Sequence, residues 1–329
     1  MKLEQPILRP PALLAACLAA ALLGPLPSGA LADTAYVAND LGKSVSVIDT
    51  ETNKTVGKAI KVGKGPRVLA ATPNGKRVYV ANRASSNVSV INTKKNKTVG
   101  KKIKVGRQPR GIVASPNGKR VYTANRKSDD VSVIKTKTNK AVGKPIKVGD
   151  APHGIAISPN GRLLYVADND DNRISIVNTK KRKTVGKPIK VGDGPEGLAI
   201  SPDGSRLYVA NFFDGTVSVI DTQAKQVVDT VPAGGTMLAV TPDGSRVYVA
   251  TESSDVLVID AATDAVVGNI PVDGTAVAIA FTADGSRAYV ANKFEDSVSV
   301  IDTATNTLAA DPIAVGKRPR GVALVDREP

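Results

Sequence analysis

All seven tyrosines of this chain occupy the same place in one recurring phrase: Tyr36, Tyr79, Tyr122, Tyr165, Tyr208, Tyr248 and Tyr289. Their spacings are 43, 43, 43, 43, 40 and 41 residues. A period of that size belongs to four-stranded propeller blades and to some helical arrays. The local pattern separates the two. Around Tyr79, residues 67–72 and 77–82 flank Pro73-Asn74-Gly75, and Asn-Gly between two β-rich runs marks a hairpin. Asn87–Asn92 then alternates with period two, and residues 99–105 follow after a polar turn. Each unit therefore reads as four short strands, a to d, and the phrase itself is strand b. The Pro-Asn/Asp-Gly turn recurs at Pro73, Pro116, Pro159, Pro202 and Pro242, with Ala283-Asp284-Gly285 as a degenerate sixth copy.

The ends of the repeat predict the topology. No strand a precedes Tyr36, whereas the chain after Tyr289 completes strands c and d and then adds Arg320-Gly321-Val322-Ala323-Leu324-Val325. That segment matches the opening of other units, such as Arg110-Gly111-Ile112-Val113-Ala114. Supplied to the first blade, it closes the ring without a covalent link and leaves no open sheet edge at the seam. The fold expected is all-β, a seven-bladed β-propeller over residues 33–329.

Residues 1–32 read as a separate element. Lys2 and Arg9 precede the apolar run of residues 12–23, and Ala30-Leu31-Ala32 forms a small-x-small cleavage site, the layout of a secretory signal peptide. The expected location is periplasmic or secreted, with no transmembrane segment. Cys17 is the only cysteine. Leu14-Ala15-Ala16-Cys17 resembles a lipobox, but the apolar run continues past Cys17, so ordinary cleavage after Ala32 is the reading preferred. The mature chain then has no disulfide and no thiol nucleophile or thiolate ligand.

The phrase also carries a family likeness. Tyr-Val-Ala-Asn at positions 36, 79, 208 and 289, its variants at 122, 165 and 248, and the Ser/Thr-Pro-Asn/Asp-Gly turns resemble the YVTN family of β-propeller repeat proteins, the YncE-like exported propellers. The resemblance covers nearly all of the mature chain. It implies a scaffold and specifies no reaction.

Chemistry is to be sought where the repeats disagree. In a propeller, strand a lines the axis, and the loops from d to a share one face with those from b to c. Equivalent axial positions hold Arg67, Arg110, His153, Glu196, Thr236, Ala276 and Arg320. Arg320, Arg67, Arg110 and His153 would follow one another around the ring as a cationic arc ending at Glu196, able to take an anionic small molecule or a partner's carboxylate. His153 is the only histidine, so neither a multi-histidine metal site nor a Cys–His pair can be assembled. Propeller lactonases share such a ring, and a small-ligand or lactonase-like site at the channel mouth is the alternative reading. Asp168, Asp170 and Asp171 give a weak calcium candidate, lacking the glycine and distal glutamate of a known loop; no cofactor is otherwise expected. Phe212, Phe213 and Phe294 fall in b-to-c loops of the same face.

Charge is lopsided. The net charge is +15, yet residues 33–192 carry 34 lysines and arginines against 10 carboxylates, and residues 193–329 carry 9 against 19. Much of the excess lies in c-to-d turns and strand d: Lys94, Lys95, Lys97, Lys101, Lys102, Lys135, Lys137, Lys180, Lys181 and Arg182. Lysine on an outer strand protects a sheet edge, but the later blades do without it. The principal expectation is therefore a non-enzymatic exported scaffold, with no catalytic residues, that binds an anionic envelope component, a polyanion or an acidic protein partner through this sector. Nucleic acid is less favoured, because no aromatics interleave the lysines for base stacking.

Overall fold

Residues 31–327 are described by a computed structural model of the chain. The leader read over residues 1–32 lies outside them up to residue 30, Cys17 included. Seven antiparallel sheets form the blades of a closed ring. Their inner strands, in ring order, are Pro319–Arg327 of blade 1, then Pro66–Ala71, Pro109–Ala114, Pro152–Ile157, Pro195–Ile200, Met237–Val240 and Ala276–Phe281. Each touches the next, and Ala276–Phe281 returns to Pro319–Arg327. Closure is the one the sequence predicts. Leu31–Asn39 pairs with Pro319–Arg327, placing Tyr36 opposite Ala323 and Val37 opposite Val322.

The core lies between neighbouring blades. Tyr36, Val45 and Val47 of blade 1 pack against Leu69, Val78, Val80 and Ile91 of blade 2, and the other interfaces repeat the pattern. All seven tyrosine rings are buried. A buried hydroxyl needs a partner, and for Tyr36, Tyr79, Tyr248 and Tyr289 the left-handed asparagine of the next blade's c-to-d turn supplies it. Tyr79 donates to Asn139 Oδ1 at 2.7 Å, Tyr36 to Asn96 at 2.6 Å, and Tyr289 to Asn53 across the closure at 2.7 Å. The phrase's tyrosine is thus an inter-blade staple. Its asparagine ties loops within a blade: Asn82 donates to Ser89 Oγ at 3.0 Å and accepts from the Gly63 N–H at 3.1 Å.

Strand d departs from the expectation of one continuous run. In blade 2 it is split into Lys97–Thr98 and Ile103–Lys104, with Gly100 between them at φ +69°. Blades 5 and 6 keep whole outer strands, Gln226–Val231 and Val266–Pro271. Those are the units with spacings of 40 and 41. The extra residues of the longer units form the excursion, and glycine accommodates the left-handed turn it needs.

Loops sort onto two faces. The b-to-c loops donate to d-to-a carbonyls, as in Arg83 N–H to Gly65 at 2.7 Å and Arg126 N–H to Gln108 at 3.0 Å. On the other face, c-to-d threonines donate to a-to-b glycine carbonyls, Thr93 to Gly75 at 2.6 Å among them. No helix of the described residues is long and apolar enough to cross a membrane.

Candidate functional site

On the face carrying the d-to-a loops, the axial channel opens into a cavity of about 190 Å³. Six of the seven axial positions line it: Arg67, Arg110, His153, Glu196, Thr236 and Arg320. The seventh, Ala276, starts its strand opposite Asn292, and Val277 takes its place on the wall.

Two local devices aim these side chains. Pairing of the inner strands breaks register between Pro66 and Val68, Pro109 and Gly111, Pro152 and Ile155, and Pro195 and Leu198. Arg67, Arg110, His153 and Glu196 are the residues released, and such an irregularity re-aims the side chain it frees. A glycine then follows most axial residues and lets neighbouring strands come close. A Cβ on Gly154 would stand 2.2 Å from the Glu196 carbonyl oxygen, and one on Gly111 2.3 Å from that of His153.

The charges interlock across the axis. Glu196 Oε2 lies 3.6 Å from Arg67 Nη2, and its Oε1 lies 3.4 Å from His153 Nδ1. Burial alone would push the Glu196 carboxyl up, but His153, Arg67 and Arg110 together hold it below the usual carboxylate range. His153 is 6% exposed. Its pKa is lowered by burial first and by Arg110 and Arg67 next, against the pull of Glu196, and the net lowering favours the neutral ring. Burial brings Arg110 and Arg320 each down to about 10, with Arg67 beside both, which still leaves them cationic at neutral pH. The Nε atoms of Arg110 and Arg320 and Thr236 Oγ1 are buried without a hydrogen-bond partner among the described residues. Unused donors of this kind in a cavity are costly unless a ligand meets them.

Two participants escaped the sequence reading. Glu252, on the b-to-c loop of blade 6, lines the cavity and lies 3.4 Å from Lys293 Nζ and 4.0 Å from Arg320 Nη1. Arg126, from the b-to-c loop of blade 3, donates through Nε to His153 Nε2 at 3.0 Å. One signal was present for Glu252: Thr251 replaces the asparagine of the phrase just before it. Phe213 and Phe294 stand exposed on loops of this face, with Lys293 Nζ 4.6 Å from the Phe294 ring centre.

Other residues singled out in the sequence lie elsewhere. Lys94, Lys95, Lys97, Lys101, Lys102, Lys135, Lys137, Lys180 and Lys181 are exposed, and none lines the mouth. Arg182 instead folds back to donate to the Val142 carbonyl at 2.7 Å and the Lys144 carbonyl at 3.1 Å. The carboxylates of the calcium candidate are engaged by protein groups: Asp168 accepts from Ser175 Oγ at 2.6 Å, Arg173 lies 2.9 Å from Asp171 and 3.6 Å from Asp168, and Asp170 lies 3.7 Å from Arg126. Among the described residues no group of three or more His, Cys, Asp or Glu side chains is arranged to hold a metal ion.

Comparison with known proteins assigns the ring. The family model described as "Lactonase, 7-bladed beta-propeller" matches residues 31–145, 59–187 and 136–234, overlapping segments that together run over more than half of the chain. No curated protein sequence matches. Among solved structures, a putative 6-phosphogluconolactonase from Bacteroides fragilis is 21% identical, with a TM-score of 0.75 over 90% of this chain and 98% of that one. A functionally unknown protein from Desulfotomaculum acetoxidans is 18% identical, with a TM-score of 0.78 over 89% and 99%. Kuenenia stuttgartiensis hydrazine synthase is 23% identical, with a TM-score of 0.70 over 80% and 95%. At these identities the structural likeness is one of fold.

The family match corrects two expectations. The chain is not a YVTN or YncE-type propeller, because the family model that matches over more than half of it is that of the lactonases; the Tyr-Val-Ala-Asn phrase on which the other likeness rested serves blade packing, a demand of the ring that does not single out a family. Nor does the reading of a non-enzymatic binding scaffold stand. It gave weight to lysines on the outside of the ring, whereas the family is named for a reaction and the chain's buried, interlocked charges lie at the axis. This chain belongs to the lactonase family of seven-bladed β-propellers.

Proposed function

We propose that the protein hydrolyses a lactone bearing an anionic substituent, at the channel mouth formed by Arg67, Arg110, His153, Glu196 and Arg320. The observation that carries this reading is the half-buried Glu196 carboxylate, 3.6 Å from Arg67 and 3.4 Å from His153 in a cavity shared with Arg110 and Arg320, whose Nε donors are unspent. A lactone needs three things: a base for water, donors for the oxyanion, and a proton for the departing ring oxygen. Glu196 accepts a proton from water as its oxygen attacks the lactone carbonyl. The guanidinium of Arg110 or Arg320 stabilises the tetrahedral oxyanion as a fixed charge where negative charge develops. Collapse breaks the acyl C–O bond of the ring, and Glu196 returns its proton to the leaving alkoxide, giving the open hydroxy acid. The remaining arginines hold the substituent by charge-assisted, bidentate contacts.

Two solved structures of the same fold are described as putative 6-phosphogluconolactonases, which makes a phosphorylated sugar δ-lactone the first substrate to try. The assay is proton release in a pH-stat with 6-phospho-glucono-δ-lactone and its unphosphorylated counterpart, each corrected for spontaneous opening. Acceleration of the phosphorylated lactone, lost by about 10²-fold or more in Glu196→Gln with an unchanged melt, is expected. No acceleration of any lactone in a γ- and δ-ring panel, or full activity in Glu196→Gln, refutes the reading. Export through the leader read in residues 1–32 belongs to the same proposal, with the substrate then met outside the cytoplasm.

A further inference from the structure

His153 is the residue a sequence reader would nominate as the base, yet its surroundings give it another part. Four charged groups face the ring: Glu196 from blade 5, Arg110 from blade 3, Arg67 from across the axis, and Arg126 from the b-to-c loop of blade 3. Among the described residues only Arg126 engages Nε2, donating from its own Nε at 3.0 Å. A guanidinium has donors and no acceptor, so Nε2 must present its lone pair there. In a neutral imidazole the proton then sits on Nδ1, the nitrogen 3.4 Å from Glu196 Oε1. Arg126 is steadied in turn by Asp170 Oδ1 at 3.7 Å. The chain from Asp170 through Arg126 and His153 to Glu196 therefore runs from an exposed loop to the cavity.

We propose that Arg126 is a positioning residue that holds His153 as the neutral Nδ1–H tautomer, so that His153 turns its N–H toward Glu196 and takes no proton at Nε2. The role in catalysis rests on the lactonase reading; the tautomer does not. Arg126 leaves Glu196 as the base, because the histidine's only lone pair is spent on the guanidinium. It also turns the Nδ1–H side of the ring toward the carboxylate across 3.4 Å, a long contact with no hydrogen bond formed by geometry in the resting site, so its support of Glu196 is electrostatic. A histidine at an axial position thereby becomes part of the carboxylate's support, and the loop that sets it lies outside the channel.

The test exploits the fact that His153 is the only histidine, so a 15N-labelled sample of the full chain yields one pair of ring-nitrogen signals. At pH 7 the expected spectrum has a protonated, pyrrole-type Nδ1 and a pyridine-type Nε2. In Arg126→Met, which removes the donor but keeps much of the side-chain length, the Nε2–H tautomer becomes populated and the titration midpoint of His153 rises by about one unit or more. With the lactone substrate, kcat of that variant falls about tenfold or more while KM changes much less, the pattern of misplacement rather than lost binding. A wild-type Nε2–H or doubly protonated ring at pH 7, or wild-type ring shifts in Arg126→Met, overturns the proposal. The wild-type spectrum decides even if the variant does not fold. Because the spectra require no turnover, failure of the lactonase reading leaves this test standing, and the reverse holds too.

Discussion

Replacing Asp168 by asparagine restores to blade 4 the residue that closes the phrase in five other blades, at Asn39, Asn82, Asn125, Asn211 and Asn292. Asp168 is fully buried. Its carboxyl is pushed up to about 6 by burial, against the opposing effects of the Ser175 hydroxyl, Arg173 and the Gly149 N–H. Set against an ordinary value near 4, the ionised form is disfavoured by about two units, or ~3 kcal/mol at high pH. An asparagine at this position can repeat the contacts of Asn82, donating to Ser175 Oγ and accepting from the Gly149 N–H. Arg173 then loses a contact of 3.6 Å but keeps Asp171 at 2.9 Å. The net gain for Asp168→Asn is therefore ~1–3 kcal/mol at pH 8, about 2–6 °C in the melting midpoint. The sign follows from the raised pKa. The native wild type binds the Asp168 proton more tightly than the unfolded chain, so its relative stability is highest below about pH 4 and falls as the pH rises to about 6 and beyond. Thermal melts of both proteins from pH 4 to pH 8 should show a difference near zero at the acid end, opening through the window from 4 to 6. A pH-independent difference refutes this reasoning. So does a loss of stability at pH 8, above all one reversed by calcium, since Asp168 would then be serving as an anion.

Four further outcomes are expected. Gly154→Ala should lose most lactonase activity and destabilise the fold by ~2 kcal/mol or more, since its Cβ would meet the Glu196 carbonyl; a wild-type melt with full activity contradicts the close-approach reading. Activity should persist below pH 5, because Glu196 is held below the usual carboxylate range and stays ionised as the pH falls; an acid limb near pH 6 in the kcat/KM profile would assign the base elsewhere. A double-mutant cycle of Tyr79→Phe with Asn139→Ala, followed by urea unfolding, should return a coupling of ~1 kcal/mol for the inter-blade hydrogen bond; zero coupling would reduce the staple to packing. Removing residues 321–329 takes away most of the strand paired with Leu31–Asn39 and should lower the melting temperature by many degrees, whereas an unchanged melt would mean that the ring does not depend on its seam.

How far each feature could be read depends on the range of the physics behind it. Strands a to c are legible because period-two alternation and Asn-Gly or Asp-Gly turns act over a few residues. The seam is legible because the segment from Arg320 to Val325 repeats an opening that the first unit lacks. Splitting of strand d escapes this reading: the excursion after Gly100 leaves the apolar pattern of residues 99–105 intact. Of the site, the axial positions stand out because side chains differ there while their neighbours repeat. Glu252 and Arg126 do not stand out, since b-to-c loops vary in every unit and nothing local says which of them turn toward the channel.

The sequence by itself determined the number of blades, the closure and the identity of the residues at the axis. All of these follow from one repeat and its interruptions. Only the tertiary structure decided which charges meet. Arg67 reaches Glu196 across the channel from a blade three places away, and Arg126 donates to His153 Nε2. Such contacts are set by the width of the ring and by the register breaks of its inner strands, quantities that exist only once seven sheets have packed against one another. A count of surface lysines carries no information about such contacts, because the lysines stand on outer strands and turns, away from the axis.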